Sequence, residues 1–238
     1  MNNKKIFEKL INQLITDPYF DIYTRNGLEY ILNKQNTDGK ITDIDGNEYR
    51  TVIIGEQEWM QENLRTTMFN DGNDIPHLTD SNWGTTSLPA FSWYNNSSKN
   101  NDIYGALYNW HSVETGKLCP SGWVVPSDDD WNVLIEYLGG KKKAGSKLKI
   151  ADKNYWNKIK PNETDEYEFS AFPGGYRYGH YWSSAEFIDK GINGYWWTST
   201  EYTDTHAWSR TIHSRNSRVY RSYFEKNDGF SIRCIKNF

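Results

Sequence analysis

Residues 194–210 read GYWWTSTEYTDTHAWSR, with five large rings (Tyr195, Trp196, Trp197, Tyr202 and Trp208) set among Thr, Ser, Asp and His and without Leu, Ile or Val. The whole chain shares this bias. Aromatic residues make up 16% of its 238 residues, with 11 Trp and 17 Tyr, while hydrophobic residues of every kind reach only 37%. Each large ring buries roughly 150–250 Å², so rings supply the core that aliphatic side chains do not. The length suffices for one sizeable core, as one domain or one domain with an appendage.

The net charge is −4, which provides no general basic field for nucleic acid or an anionic membrane. Arg210, Arg215, Arg218 and Arg221 lie close together, as on an exposed strand of a mildly acidic protein. No segment approaches the roughly 20 apolar residues of a membrane span. Neither nucleic acid binding nor membrane insertion is expected. The two cysteines, Cys119 and Cys234, are too far apart in the chain for a zinc motif. One long-range disulfide and two buried thiols both remain open at this point.

Two parts emerge along the chain. Residues 1–38 carry helical periodicity, with Ile6, Phe7, Leu10, Ile11 and Leu14 on one side of a first helix over about Lys4–Ile15 and a second over about Leu28–Asn33. The start is an amphipathic helix without the continuous apolar region of a signal peptide. A chain that stays inside, one exported without a cleaved signal and one already trimmed are all consistent with it. Such a segment suits docking or oligomerisation, because its apolar side needs a partner.

From residue 39 to 238 the pattern changes to short β runs and turns. Asp45–Gly46–Asn47 between Ile41–Ile44 and Tyr49–Ile54 predicts a hairpin. Its letters DIDGNE faintly resemble a calcium loop but lack the spacing of an EF-hand. A structural calcium there is the one cofactor considered; otherwise none is expected. Ser127 with Asp130 predicts a capped helix over the run that follows, with Trp131, Leu134, Ile135 and Leu138 inward and Gly139–Gly140 as the stop. Asp128, Asp129 and Asp130 then load the positive end of the helix dipole as caps rather than as metal ligands. Trp208, Arg210 and Ile212 share one strand face, and Val219–Phe224 pairs with that strand across a turn.

Seven stretches occur in order: GNEYRTVIIGEQEWMQENLR, YGALYNW, LCPSGWVVPSDDDWNVLIEYLGG, FSAFPGGYR, GYWWTSTE, AWSR and GFSIRCI. Together they resemble the Fibrobacter succinogenes major paralogous domain family over residues 39–238. That family is similar in turn to the formylglycine-generating, sulfatase-modifying branch of the C-type lectin-like fold. The resemblance implies an α+β domain of twisted antiparallel strands, two helices and long loops, with its chain ends close together. It also implies that Cys119 and Cys234 are bridged, and that Trp123, Trp131, Trp196 and Trp197 belong to the scaffold.

Formylglycine-generating enzymes hold copper with a cysteine pair before the final strand, but here residues 211–224 contain no cysteine. The five histidines, His77, His111, His180, His206 and His213, show no zinc-protease spacing. Ser183–Ser184 lacks the G-x-S-x-G elbow of a serine hydrolase, and no glycine-rich phosphate loop is present. A non-enzymatic binding or adhesion module is therefore expected. Tyr and Trp interleaved with small polar residues are the composition of recognition loops. The candidate face comprises Tyr178, His180, Tyr181, Trp182, Tyr202, Asp204, His206, Ser209, His213, Arg215, Asn216, Tyr220, Ser222 and Tyr223, while Trp208 and Arg210 point toward the core. The scaffold is expected to give way to the displayed face between Glu201 and Tyr202.

The expected partner is a protein or glycan on a cell surface, met by a surface-exposed, secreted or particle-borne protein. A particle-borne receptor-binding protein, on a phage tail or an injection apparatus of Bacteroidetes type, is the alternative setting. Residues 202–223 also have the composition left by diversity-generating retroelements, which favour Asn, Tyr, Ser, Asp and His. The calcium-dependent sugar motifs of true C-type lectins are absent, and WYNN at 93–96 does not replace them.

Overall fold

The computed structural model describes residues 39–158, 163–179 and 186–237, together with Leu14. The helices expected over 1–38 lie outside the described residues, Leu14 excepted. The remainder is α+β, mostly antiparallel sheet, and the elements begin with the predicted hairpin. Strands β1 (Lys40–Thr42) and β2 (Glu48–Ile54) pair antiparallel, with Gly46 at φ 84° in the turn. Asp43 accepts hydrogen bonds from the Asn47 backbone and side chain and from the Tyr49 hydroxyl at 2.6 Å. Asp45 accepts from Thr66 and Thr67. The carboxylates that suggested a calcium loop thus bind the turn to the neighbouring chain.

Strand β3 (Gln57–Met60) continues the sheet. Short pairs β4 (Phe91–Ser92) with β5 (Leu107–Tyr108), and later β7 (Tyr176–Arg177) with β8 (Phe187–Ile188), flank the core. Between them lie α1 (Asn101–Tyr104), α2 (Trp110–Glu114), β6 (Trp123–Val124), α3 (Asp128–Tyr137) and α4 (Ala144–Leu148). The long strands come last: β9 (Asn193–Thr203), β10 (His206–His213) and β11 (Val219–Glu225), followed by β12 (Ile235–Lys236). One sheet has the order β1-β2-β3-β12-β6 and another the order β11-β10-β9.

The two helices implied by the family resemblance become four among the described residues, and only α3, at ten residues, is longer than five. Its start is as predicted. Ser127 Oγ accepts from the Asp130 N–H, and Asp130 returns the bond to the Ser127 N–H at 2.7 Å. Trp131, Leu134, Ile135 and Leu138 are buried, and Gly139 and Gly140 end the helix at positive φ.

Strand alternation places Trp196 and Trp197 on opposite faces of β9, and both are 0% exposed. Trp197 enters a cluster with Tyr108, Trp110, Tyr195 and Phe230, stacking on Phe230 at 4.2 Å. Trp196 enters a second cluster with Trp59, Trp131, Phe169 and Ile212. Each indole N–H is satisfied, Trp197 by the Tyr108 carbonyl and Trp196 by Asn63 Oδ1, both at 2.9 Å. β9 therefore separates two cores. Burial along it ends at Thr198, and Ser199 is exposed, three residues earlier than expected, because the chain outruns both cores there.

The GFSIRC segment stitches the two sheets. Phe230 bridges to Tyr108, Ser231 runs parallel to Trp196, and Ile235 pairs with Trp59. Phe230, Ile232 and Cys234 all enter the first core, and Cys234 is bonded to Cys119, 115 residues away. Between them Arg233 is 0% exposed and has no carboxylate within ion-pair distance among the described residues. Its guanidinium donates instead to the carbonyls of Met60 (3.2 Å), Gln61 (2.5 Å), Phe169 and Ser170, and to Asn63 Oδ1 (2.8 Å). It also lies 4.5 Å from the Phe169 ring centroid. Burial pushes its pKa down to about 9, so it stays charged at neutral pH. Arg233→Met is expected to lower unfolding stability by about 3–5 kcal/mol in urea titration, since it orphans buried acceptors on two separate segments.

Candidate ligand-binding surface

The sheet β11-β10-β9 and its two connecting turns carry most of the candidate residues. β10 and β11 pair in register from His206 opposite Glu225 to Ile212 opposite Val219. Pairing with β9 shifts register between His206, Ala207 and Ser209, and such irregularity re-aims side chains. At the Ile212 end β10 is buried on both faces, from Ser209 to Ile212. At the His206 end the sheet projects beyond the cores, and Glu201 to Thr205 are exposed.

Four rings gather on this projecting end. Tyr202 stacks on Tyr223 with centroids 4.3 Å apart and meets Trp208 edge-on at 4.7 Å. Trp208 lies 5.8 Å from Tyr223, and His206 lies 5.7 Å from it. Tyr202 and Tyr223 remain 45% and 51% exposed, so large ring area faces solvent. Trp208 is half-buried within this cluster. The expectation that it points to the core is corrected, because on the face it shares with Ile212 the core gives way to Arg210 and Asp128, while Ala207 on the opposite face stays in the first core.

The platform is fastened from beneath. Arg221 covers the Trp208 ring, its guanidinium carbon 3.2 Å from the centroid, and its Nε donates to Asp128 Oδ2 at 2.7 Å. The other oxygen of Asp128 pairs with Arg210 at 2.6 Å, and Arg210 also donates to the Asp128 carbonyl and to Asn132 Oδ1. Arg210 is buried rather than on an exposed strand face, and burial lowers its pKa. Arg210 and Arg221 are cross-strand partners, a like-charge pairing that is unfavourable without an acid between them. The Asp128 N–H donates in turn to Thr200 Oγ1 at 2.9 Å. Asp128 thus opens α3, pairs with two arginines and ties the outer part of β9 in place.

Beside the rings opens a recess of about 360 Å³ lined by His111, Asp204, Thr205, His206, Glu225, Lys226 and Asn227. Its groups are polar and of both charges. His206 Nδ1 lies 2.8 Å from Thr205 Oγ1, and His111 Nε2 lies 3.0 Å from Asn227 Oδ1. Lys226, buried against the Trp110 ring at 4.6 Å, pairs with Glu201 at 2.5 Å.

The other candidates are dispersed. Ser209 is buried and donates its hydroxyl to the Ser222 carbonyl, so its side chain is not displayed; Ser222 itself is half-buried. His213, Arg215, Asn216 and Tyr220 cluster at the opposite end of the β10–β11 hairpin, some seven strand steps or roughly 23 Å from His206. There the Arg215 N–H donates to His213 Nδ1, the Asn216 amide donates to the Tyr220 hydroxyl, and burial lowers the His213 pKa. Tyr178 packs against Tyr176 with centroids 6.4 Å apart. His180, Tyr181 and Trp182 lie outside the described residues. Among the described residues no group of three or more His, Cys, Asp or Glu could hold a metal ion.

Gly179 leads into that undescribed segment. A Cβ there would meet the Asn227 carbonyl at 2.1 Å, so only glycine permits the approach. Its N–H donates to Asp228 Oδ1 at 2.8 Å, and burial raises the Asp228 pKa to about 7.

Residues 52–236 match the family model described as Fibrobacter succinogenes major domain. No curated protein and no solved structure matches the chain.

Two outcomes are expected. Asp128→Asn leaves Arg210 buried without its carboxylate and releases Arg221 from beneath Trp208. Stability should fall by about 3–5 kcal/mol, with loss of near-UV circular dichroism from the ring cluster. Asp228, whose folded pKa is raised, contributes stability that is present at low pH and lost as pH rises through about 7. Urea midpoints should therefore decline between pH 4 and 8 in the natural protein. In Asp228→Asn that part of the decline, on the order of a few kcal/mol, should vanish.

Proposed function

The chain belongs to the Fibrobacter succinogenes major domain family, and we propose that on this scaffold it is a non-enzymatic binding module that engages a protein or glycan on a cell surface. The observation that carries the reading is the solvent-facing stack of Tyr202 and Tyr223 against Trp208, fastened by Arg221 and Asp128 and bordered by a polar recess. Rigid rings offer contact area at low entropic cost, and small polar neighbours supply adjustable hydrogen bonds. Because the rings already pack on one another, little ordering remains to be done on binding.

A C-type lectin-like relationship is part of the same reading. Its supports are the long-range disulfide and the late strand β12, which lies in one sheet with β1–β3 and so brings the ends of the domain together. The non-enzymatic part is supported by the cysteine count. The chain has two, and they are bonded to each other, which leaves no thiol pair for copper chemistry of the formylglycine-generating kind. Residues 202–223 also suit a diversified segment. Exposed Tyr202, Asp204, Tyr220 and Tyr223 share it with buried Ala207, Ser209, Thr211 and Ile212, so surface chemistry can change while the sheet is kept.

The test is binding to arrays of glycans and of extracellular surface proteins. The natural protein should bind members of one class. The double variant Tyr202→Ala/Tyr223→Ala should lose at least about tenfold in affinity with an unchanged thermal melt. Absence of binding to either class, or full retention by the folded double variant, would overturn the reading.

A further inference from the structure

A second concavity lies on the side of the hairpin away from the recess. It is a groove of about 680 Å³ between the C-terminal half of α3, the Gly139–Lys143 loop and β11. Its walls are joined through backbone, since the Val219 N–H donates to the Lys141 carbonyl and the Gly145 N–H to the Ser217 carbonyl, both at 2.9 Å. Ile135 and Val219, only 3% and 2% exposed, line its base. The groove therefore exists independently of how its long side chains are arranged.

Its charge is one-sided. Lys141, Lys142, Lys143, Arg218 and Arg221 border it, against the single carboxylate of Glu136. Of the six cations that line it, Arg210 among them, only Arg210 and Arg221 have an ion-pair partner among the described residues, the shared Asp128. Lysines just beyond a helix answer the negative end of its dipole, but that effect fades within a turn and does not reach Arg218, just before β11, or Arg221 on it. A protein of net charge −4 has no general reason to gather cations in one groove. At its base lies Arg210, 3% exposed and already committed to Asp128 and Asn132.

One ring accompanies the charges. Tyr220, 36% exposed, has Arg218 5.5 Å from its ring centroid and its hydroxyl fixed by Asn216. A single ring beside cations fits one sugar unit stacked with its acidic groups on either side. Single-stranded nucleic acid uses successive stacking platforms along a wide basic track, which this groove lacks. A bilayer surface requires a convex apolar anchor rather than a concavity.

We propose that this groove is a second binding site, for a short acidic saccharide bearing carboxylate or sulfate groups. Lys142, Lys143 and Arg218 recognise its charges, and Tyr220 stacks on one ring. The site stands independently of the ring platform described above.

Fluorescence polarisation with labelled tetragalacturonate and with a sulfated galactose tetramer tests it. At least one probe should bind, with affinity falling about tenfold or more as salt is raised from about 50 to 500 mM. Methyl-esterified tetragalacturonate should not compete. Lys142→Gln/Lys143→Gln/Arg218→Gln should weaken binding at least about tenfold with an unchanged melt, while Lys142→Arg/Lys143→Arg/Arg218→Lys and Tyr202→Ala/Tyr223→Ala should bind as the natural protein does. The proposal is overturned if neither probe binds, if the ester competes equally, or if the glutamine variant keeps full affinity. Loss confined to the Tyr202/Tyr223 variant, or tighter binding of a charge-matched oligonucleotide, overturns it as well.

Discussion

The structure depends on a cation held in the interior without an acid. Arg233 donates to backbone carbonyls of β3 and the residue after it, to the carbonyls of Phe169 and Ser170, and to Asn63. A buried charge is tolerated only when its hydrogen bonds are nearly complete. The geometry of two other chain segments is thereby set by a single planar fork, whose fixed donor directions a lysine cannot reproduce. Asn63 extends the effect, because the oxygen that serves Arg233 also accepts from the Trp196 indole. The polar centre of the domain and its second, tryptophan-rich core are thus joined through one amide.

From that centre the binding surface follows by alternation. Trp196 and Trp197 anchor β9 in two different cores, so the strand cannot rotate or slip by one residue without exchanging their environments. Its continuation past Thr198 is consequently presented in a fixed direction. Asp128 performs the matching task from the helix side, where one carboxylate spans the two arginines that face each other on β10 and β11. Scaffold and displayed rings are mechanically continuous, which is the condition for a recognition surface held ready before its ligand arrives.

Local rules made much of this legible. The Asp-Gly hairpin, the Ser127–Asp130 capping box and the pairing of the β10–β11 hairpin each depend on neighbours in sequence, and each follows from residue type and spacing. The burial of Trp196 and Trp197 was legible from the family's motifs. What escaped was set by distance in the chain. Nothing near Trp208 indicates that its ring is covered by Arg221 rather than by the core, and nothing near Asp128 says that its carboxylate reaches β10 and β11 as well as opening a helix. The one available signal was Arg210 facing Arg221 once the hairpin register is assumed, because two opposed cations require an acid from elsewhere. Ser209 was misjudged for a related reason: small polar composition marks a loop and a strand packed on both sides equally well.

β12 lies between β3 and β6 in the five-stranded sheet, although both neighbours precede it in the chain by more than a hundred residues. On the ribosome those strands emerge long before the one that fills the gap between them. Until it arrives they hold two open hydrogen-bonding edges, and the cysteine at position 119 has no partner in the nascent chain. The domain closes only at the end of its synthesis, and in that interval its exposed edges need shielding from other chains.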